Sequence, residues 1–159
     1  MDTTSISLRS YAENDAPHIV ALFRDTVHTI NAKDYNRQQL DAWAPETIDI
    51  EKWHKILSVN HTIVAEQEGI ICGFGDIDST GYFDHLFVHK DYQRLGIARQ
   101  IATAIEDYAN RVAFKHITVA ASITAKPFFE GRGYIVVREQ EVALNGQKFI
   151  NFFMEKKLV

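Results

Sequence analysis

The residues from Leu86 to Ala98 read as a short strand, a turn, and the start of a helix headed by Gly96. The first N–H groups of a helix have no partner inside it and carry the positive end of its dipole. The segment Gln93, Arg94, Leu95, Gly96, Ile97, Ala98 can therefore hold an anion, best a phosphate or pyrophosphate. Gly96 lets the main chain approach a ligand, and small Ala98 keeps the helix start open. A plain tight turn accounts for the same spacing equally well. A nucleoside-triphosphate loop is excluded because no Gly-Lys-Ser/Thr follows the glycine. A dinucleotide site is excluded because no strand with a three-glycine turn opens the chain.

The elements that must position this turn are legible from periodicity. Ile6, Leu8 and Ser10 alternate as a first strand. Asn14 or Asp15 can cap a helix with Pro17 in its first turn, and Ile19, Leu22, Phe23, Val27 and Ile30 then recur at helical spacing. Two short helices follow, over 36–44 and 50–57. Strands over 61–66 and 70–75 flank a turn at Glu68-Gly69, and Tyr82 to Val88 is the next strand. Behind Gly96, Ile97, Ile101, Ile105, Tyr108 and Val112 fall on one helix face. A β-branched strand over 116–121 completes a βαβ crossover, which requires one parallel pair. Thr124 can cap a short helix with Pro127 in its first turn. A hairpin around Asn145-Gly146 closes the chain. The expected fold class is α/β (α+β): a mixed, mostly antiparallel sheet of six to seven strands, flanked by helices, in a single domain over 1–159.

Composition narrows the partners. With 159 residues, 46% hydrophobic and 24% charged, the chain can bury a core of its own. A net charge of -4 argues against a nucleic-acid surface while leaving room for one local basic pocket. Cys72 is the only cysteine, so neither a disulfide framework nor a cysteine zinc site is expected. No signal peptide or membrane span is legible, and the expected location is the cytoplasm. Monomer and homodimer both remain open, the C-terminal hairpin being the segment that could join two copies.

Two motifs carry a family resemblance. Leu86-x-Val88-x-x-x-Tyr92-Gln93-x-x-Gly96-x-Ala98 resembles the acetyl-CoA motif of the GNAT superfamily of N-acetyltransferases. Ala121-Ser122-x-x-Ala125-x-x-Phe128-Phe129-Glu130-x-x-Gly133-Tyr134 is similar to the second signature of that superfamily. Tyr35, Gln39 and Trp43 match a Tyr-x-x-x-Gln-x-x-x-Trp helix of a bacterial subgroup of small acetyltransferases. The resemblance implies a splayed pair of parallel strands with acetyl-CoA between them, its pyrophosphate on the amides of Arg94 to Ala98. It implies that the main chain of Phe87 and Val88 pairs with the pantetheine arm, as a strand adds to a sheet edge. Arg94 and Arg99 would meet phosphates, and Ser122, Phe128 and Phe129 would lie along the cosubstrate. The acceptor would be the amine of a small molecule or protein, attacking the thioester directly with no metal.

The sequence also departs from the pattern. Many relatives carry a tyrosine where Phe129 stands, a group able to protonate the leaving thiolate, and a phenyl ring cannot do this. A non-catalytic acetyl-CoA sensor is therefore the alternative to an enzyme. Relatives often place an acidic or histidine side chain on the strand before the loop. By the period-two rule Tyr82, Asp84 and Leu86 share one face and His85 points to the other. Asp84 is the expected base or amine-orienting carboxylate, and Tyr82 the expected proton donor. His85 and His89 lie about 13 Å apart along a strand, too far to share one metal ion. His28, Tyr35 and Trp43, with Trp53, are the expected walls of an acceptor pocket.

Overall fold

The computed structural model describes residues 6–159. One sheet of seven strands, ordered β1-β2-β3-β4-β5-β7-β6, organises them. The strands are β1 Ile6–Ser10, β2 His61–Gln67, β3 Ile70–Ile77, β4 Tyr82–Val88, β5 His116–Ser122, β6 Ile135–Leu144 and β7 Gln147–Lys157. The helices are α1 Ala16–Thr29, α2 Arg37–Trp43, α3 Ile50–Val59, α4 Ile97–Arg111 and α5 Lys126–Gly131. Every neighbouring pair is antiparallel except β4 with β5, where α4 makes the crossover.

Each face of the sheet has its own core. On one, Ile97, Ile101, Ile105 and Ala109 of α4 are fully buried with Phe83, Ile117 and Met154. A Cβ on Gly73 or Gly75 would stand 2.9 or 2.8 Å from Ile97 or Ile101, so these two glycines let α4 lie directly on β3. On the other, Phe23, Leu40, Phe74 and Phe149 pack beneath α1, α2 and α3. Tyr35, Gln39 and Trp43 tie α2 to the C-terminal hairpin. The Tyr35 hydroxyl donates to the Ile150 carbonyl at 3.1 Å and accepts from the Ile123 N–H at 2.9 Å. Gln39 shares a capping box with Asn36 and donates from Nε2 to the Lys148 carbonyl.

Three local expectations are corrected. The Asp15 carboxylate turns back to Arg9 and to the Ala12 N–H and leaves α1 uncapped. Ser122, not Thr124, receives the Ala125 N–H at the start of α5, while Thr124 donates to Asp34. Val112 is not on the buried face of α4: it is the residue after the helix ends at Arg111 and is 44% exposed.

Candidate active site

β4 and β5 pair only through Tyr82 with Thr118 and Phe83 with Val119. Beyond those two pairs the strands part. The His89 N–H donates to the Cys72 carbonyl, so by antiparallel alternation His89, Phe87 and His85 bond towards β3. Leu86 and Val88 therefore turn their main chain into the gap. This corrects the expectation for Phe87, whose place on the open edge belongs to Leu86. The Val88 carbonyl is already taken by Thr26 Oγ1 at 3.1 Å and Gln93 Nε2 at 2.7 Å, which leaves its N–H facing the gap.

The gap opens at one end on the turn before α4. Arg94 and Gly96 both hold positive φ, 63° and 81°, and no described residue accepts the amides of Arg94, Leu95 or Gly96. Arg94 and Arg99 are exposed and make no ion pair among the described residues. The Ile97 side chain is buried in the core, so only its main chain serves the turn.

The gap also belongs to a cavity of about 470 Å³. Its walls include Tyr82, Asp84, Phe87, Val88, Gln93 and Ala98 on one side and Ser122, Phe128 and Phe129 on the other, and Tyr35 and Trp43 also line it. Leu86, Thr26, Asn31, Phe149 and Asn151 complete parts of the lining that sequence reasoning missed. His28 does not join them: its Nε2 meets the Ala44 carbonyl at 2.7 Å. Trp53 also lies outside the lining and packs against His85 and Phe23. Phe129 is 2% exposed and meets Phe83, Phe128 and Tyr134 edge-on.

A bulge reorganises β4 at the floor of this cavity. Asp76 pairs with His85 and Ile77 with Phe83, which leaves Asp84 as the extra residue. A bulge breaks the period-two alternation. Asp84 and His85, expected on opposite faces, instead converge on Asp76. His85 Nδ1 lies 2.9 Å from Asp76 Oδ1 and 3.8 Å from Asp84 Oδ2, and Asn60 Nδ2 donates to Asp76 Oδ2 at 2.9 Å. Asp76 is wholly buried. No spacing rule signals such a cluster, because it depends on one inserted residue.

The cluster shifts its own titrations. Burial raises the Asp84 carboxyl above the ordinary range, and Asp76 and Asp78 add to this while His85 opposes it. Burial works against a charged His85, but Asp76 and Asp84 outweigh it and the imidazole ends above its usual value. Burial, then Asp84, Asp78 and Asp76, raise the Tyr82 phenol, so it stays protonated at neutral pH. Ligand atoms of Asp76, Asp84 and His85 lie within 4.8 Å of one another. Asp76 nevertheless spends both oxygens on Asn60 and His85, which makes the group a hydrogen-bonded chain rather than an open coordination site. Cys72 is fully buried and its thiol is pushed up to about 11, first by burial, so it offers no thiolate near neutral pH.

An α/β sheet opened between two parallel strands, with free loop amides at one end and ionisable side chains at the other, has the shape and donors to take an extended anionic ligand along a strand edge. Residues 31–158 match the family model described as acetyltransferase (GNAT) domain. The chain belongs to the GNAT acetyltransferase family, whose activity is acetyl-CoA-dependent acetyl transfer. It is 34% identical to the uncharacterized N-acetyltransferase YafP of Escherichia coli over 96% of this chain and 97% of that protein. A GCN5-related N-acetyltransferase structure from Rhodopseudomonas palustris superposes with a TM-score of 0.94 at 32% identity, covering 99% of each chain. The PaiA N-acetyltransferase of Thermoplasma acidophilum, solved in complex with coenzyme A, shares the fold with a TM-score of 0.80 at 16% identity over 97% of this chain and 99% of that one.

Proposed function

We propose that this protein transfers the acetyl group of acetyl-CoA to the primary amine of a small molecule or protein, by direct attack on the thioester. The observation that carries the reading is the continuity of the β4–β5 gap with a cavity floored by Tyr82 and Asp84. The pyrophosphate would rest on the amides of residues 94–98, with Arg94 and Arg99 free to meet the phosphates. Pantetheine would pair with Leu86 and Val88 as an added strand and run past Ser122, Phe128 and Phe129. The N–H groups that face the gap would steady the oxyanion of the tetrahedral intermediate. Asp84 would orient the amine, and the protonated Tyr82 hydroxyl would serve the departing sulfur. Tyr35, Trp43 and Phe149 form the aromatic end of the cavity, where the acceptor would enter.

Phe129 motivates a second reading, an acetyl-CoA sensor without turnover. A panel of primary amines assayed for release of the CoA thiol separates the two. Acetyl-CoA-dependent release with at least one amine supports the enzyme. Tight acetyl-CoA binding with no release across the panel supports the sensor. Asp84→Asn is expected to depress kcat far more than it weakens acetyl-CoA binding, and an unaltered kcat would remove Asp84 from the mechanism.

A further inference from the structure

We propose that the acceptor is a small amine without any acid group, whose apolar body carries a neutral hydrogen-bonding group such as a hydroxyl or carboxamide. This rests on the acetyl-transfer reading and names the substrate class that reading leaves open.

The way the cavity is walled argues for a small molecule. Thr26 bonds to Val88 at the end of β4, while Asp34 accepts from Thr124 and Tyr35 from Ile123, just past β5. The chain from Thr26 to Tyr35 therefore crosses from β4 to β5 over the gap. Tyr35 to Ile150, Gln39 to Lys148, and Asn145 Nδ2 to the Ala42 carbonyl then fasten α2 along the β6–β7 hairpin. A wall held at so many points suits a small acceptor rather than a folded protein segment.

Charge argues against acids. Asp84 lines the cavity, and among the described residues no lysine or arginine does. An ammonium entering there meets a carboxylate. An acid group on the acceptor would be desolvated near Asp84 with no counter-ion, which is costly.

Two side-chain amides call for a neutral polar group. Asn31, in the crossing segment, is 5% exposed, and Asn151 Oδ1 on β7 is buried. Both residues line the cavity, and neither amide bonds to any described residue. A buried amide left unpaired costs free energy that a matching ligand group recovers. An amide both donates and accepts, so a hydroxyl or carboxamide matches it and a methylene does not. Asn151 is two residues beyond Phe149, so the two share one face of β7. Phe149, Tyr35 and Trp43 meet one another with ring centroids 5.5, 5.9 and 6.3 Å apart. Val142 and Leu144 join the same lining. An apolar body, best a ring, fits this wall and carries its polar group past it to the amides.

The test is a matched series of benzylamines, unsubstituted or bearing a hydroxyl, a carboxamide or a carboxylate at the meta or para position. The reacting amine is the same throughout, so differences report the rest of the cavity. In wild type the best hydroxyl or carboxamide form is expected to exceed benzylamine in kcat/KM by about tenfold, and the carboxylates to fall about tenfold below it. Asn151→Leu is expected to bring the ratio of that polar form to benzylamine down to about one, and Asn31→Leu to lower it. No gain from a hydroxyl or carboxamide, carboxylates that match benzylamine, or a ratio that neither variant moves would each overturn the inference. So would a lysine-bearing peptide used better than every benzylamine. All of these leave acetyl transfer intact, and the wild-type series decides alone if the variants do not fold. Wild-type protein that releases no CoA with any amine would overturn acetyl transfer itself, and this inference with it.

Discussion

Phe129 meets Phe83 edge-on, with ring centroids 5.5 Å apart and planes at 86°. The position where the family often presents a tyrosine is thus a core contact here, made of two rings with no polar atom. Tyr82, one residue before Phe83, keeps a hydroxyl that bonds to no described residue and lines the cavity.

Tyr82→Phe is accordingly expected to lower kcat by about tenfold or more while leaving the acetyl-CoA Kd unchanged. Isothermal titration and a thiol-release assay on the same preparation check both halves. Full activity would move the protonation of sulfur to water.

Gly96 holds φ at 81°, and a Cβ there would stand 3.3 Å from the Arg99 guanidinium. Gly96→Gln adds backbone strain of about 1–2 kcal/mol and places a side chain against the free amides. Acetyl-CoA affinity is expected to fall by about a hundredfold, measured by titration calorimetry. Wild-type affinity would remove the turn from the binding site.

Gly75 is a packing position. Its Cβ would lie 2.8 Å from Ile101 and 3.0 Å from the His85 carbonyl, and the carbonyl belongs to the paired strand β4 and cannot yield cheaply. Gly75→Ala is expected to cost about 1–3 kcal/mol, read as a lower midpoint in urea. An unchanged midpoint would mean that α4 can lift from the sheet at little cost.

Arg9 grips Asp15 through two bonds of 2.8 and 2.9 Å, and the Ala12 N–H adds a third at 2.8 Å. Burial alone would raise this carboxyl, but the Arg9 and Ala12 bonds outweigh it and hold it below the ordinary range. Its stabilisation is therefore complete above the ordinary carboxylate value of about 4 and is lost as pH falls through the lower folded value. Asp15→Asn is expected to cost about 2 kcal/mol at pH 7 and progressively less below about pH 4. Urea melts at several pH values check the convergence.

Much of the fold was legible because it rests on local signals. The glycine-headed α4, the parallel pair it connects and the Asn145-Gly146 hairpin each follow from periodicity and turn chemistry. The family signatures pointed to the cavity walls at Ser122 and Phe128. His85 was not legible as a partner of Asp84, because the bulge that brings them together adds one residue to β4 relative to β3. Asp76 gave no sign either, since its burial and its bond to Asn60 are tertiary facts. Tyr35 and Gln39 match a motif whose work here includes tying α2 to β7.

The join between β4 and β5 gives the sheet an unequal stiffness. Two leaves, β1 to β4 and β5 to β7, meet along a spine only two residue pairs long. A ligand lying between them as an eighth strand would turn a hinged plate into a slab. The amides of Leu86 and Val88 would then exchange hydrogen with solvent at a rate set by how much of the time that strand is in place, so cosubstrate occupancy could be read from the backbone without any chemical turnover.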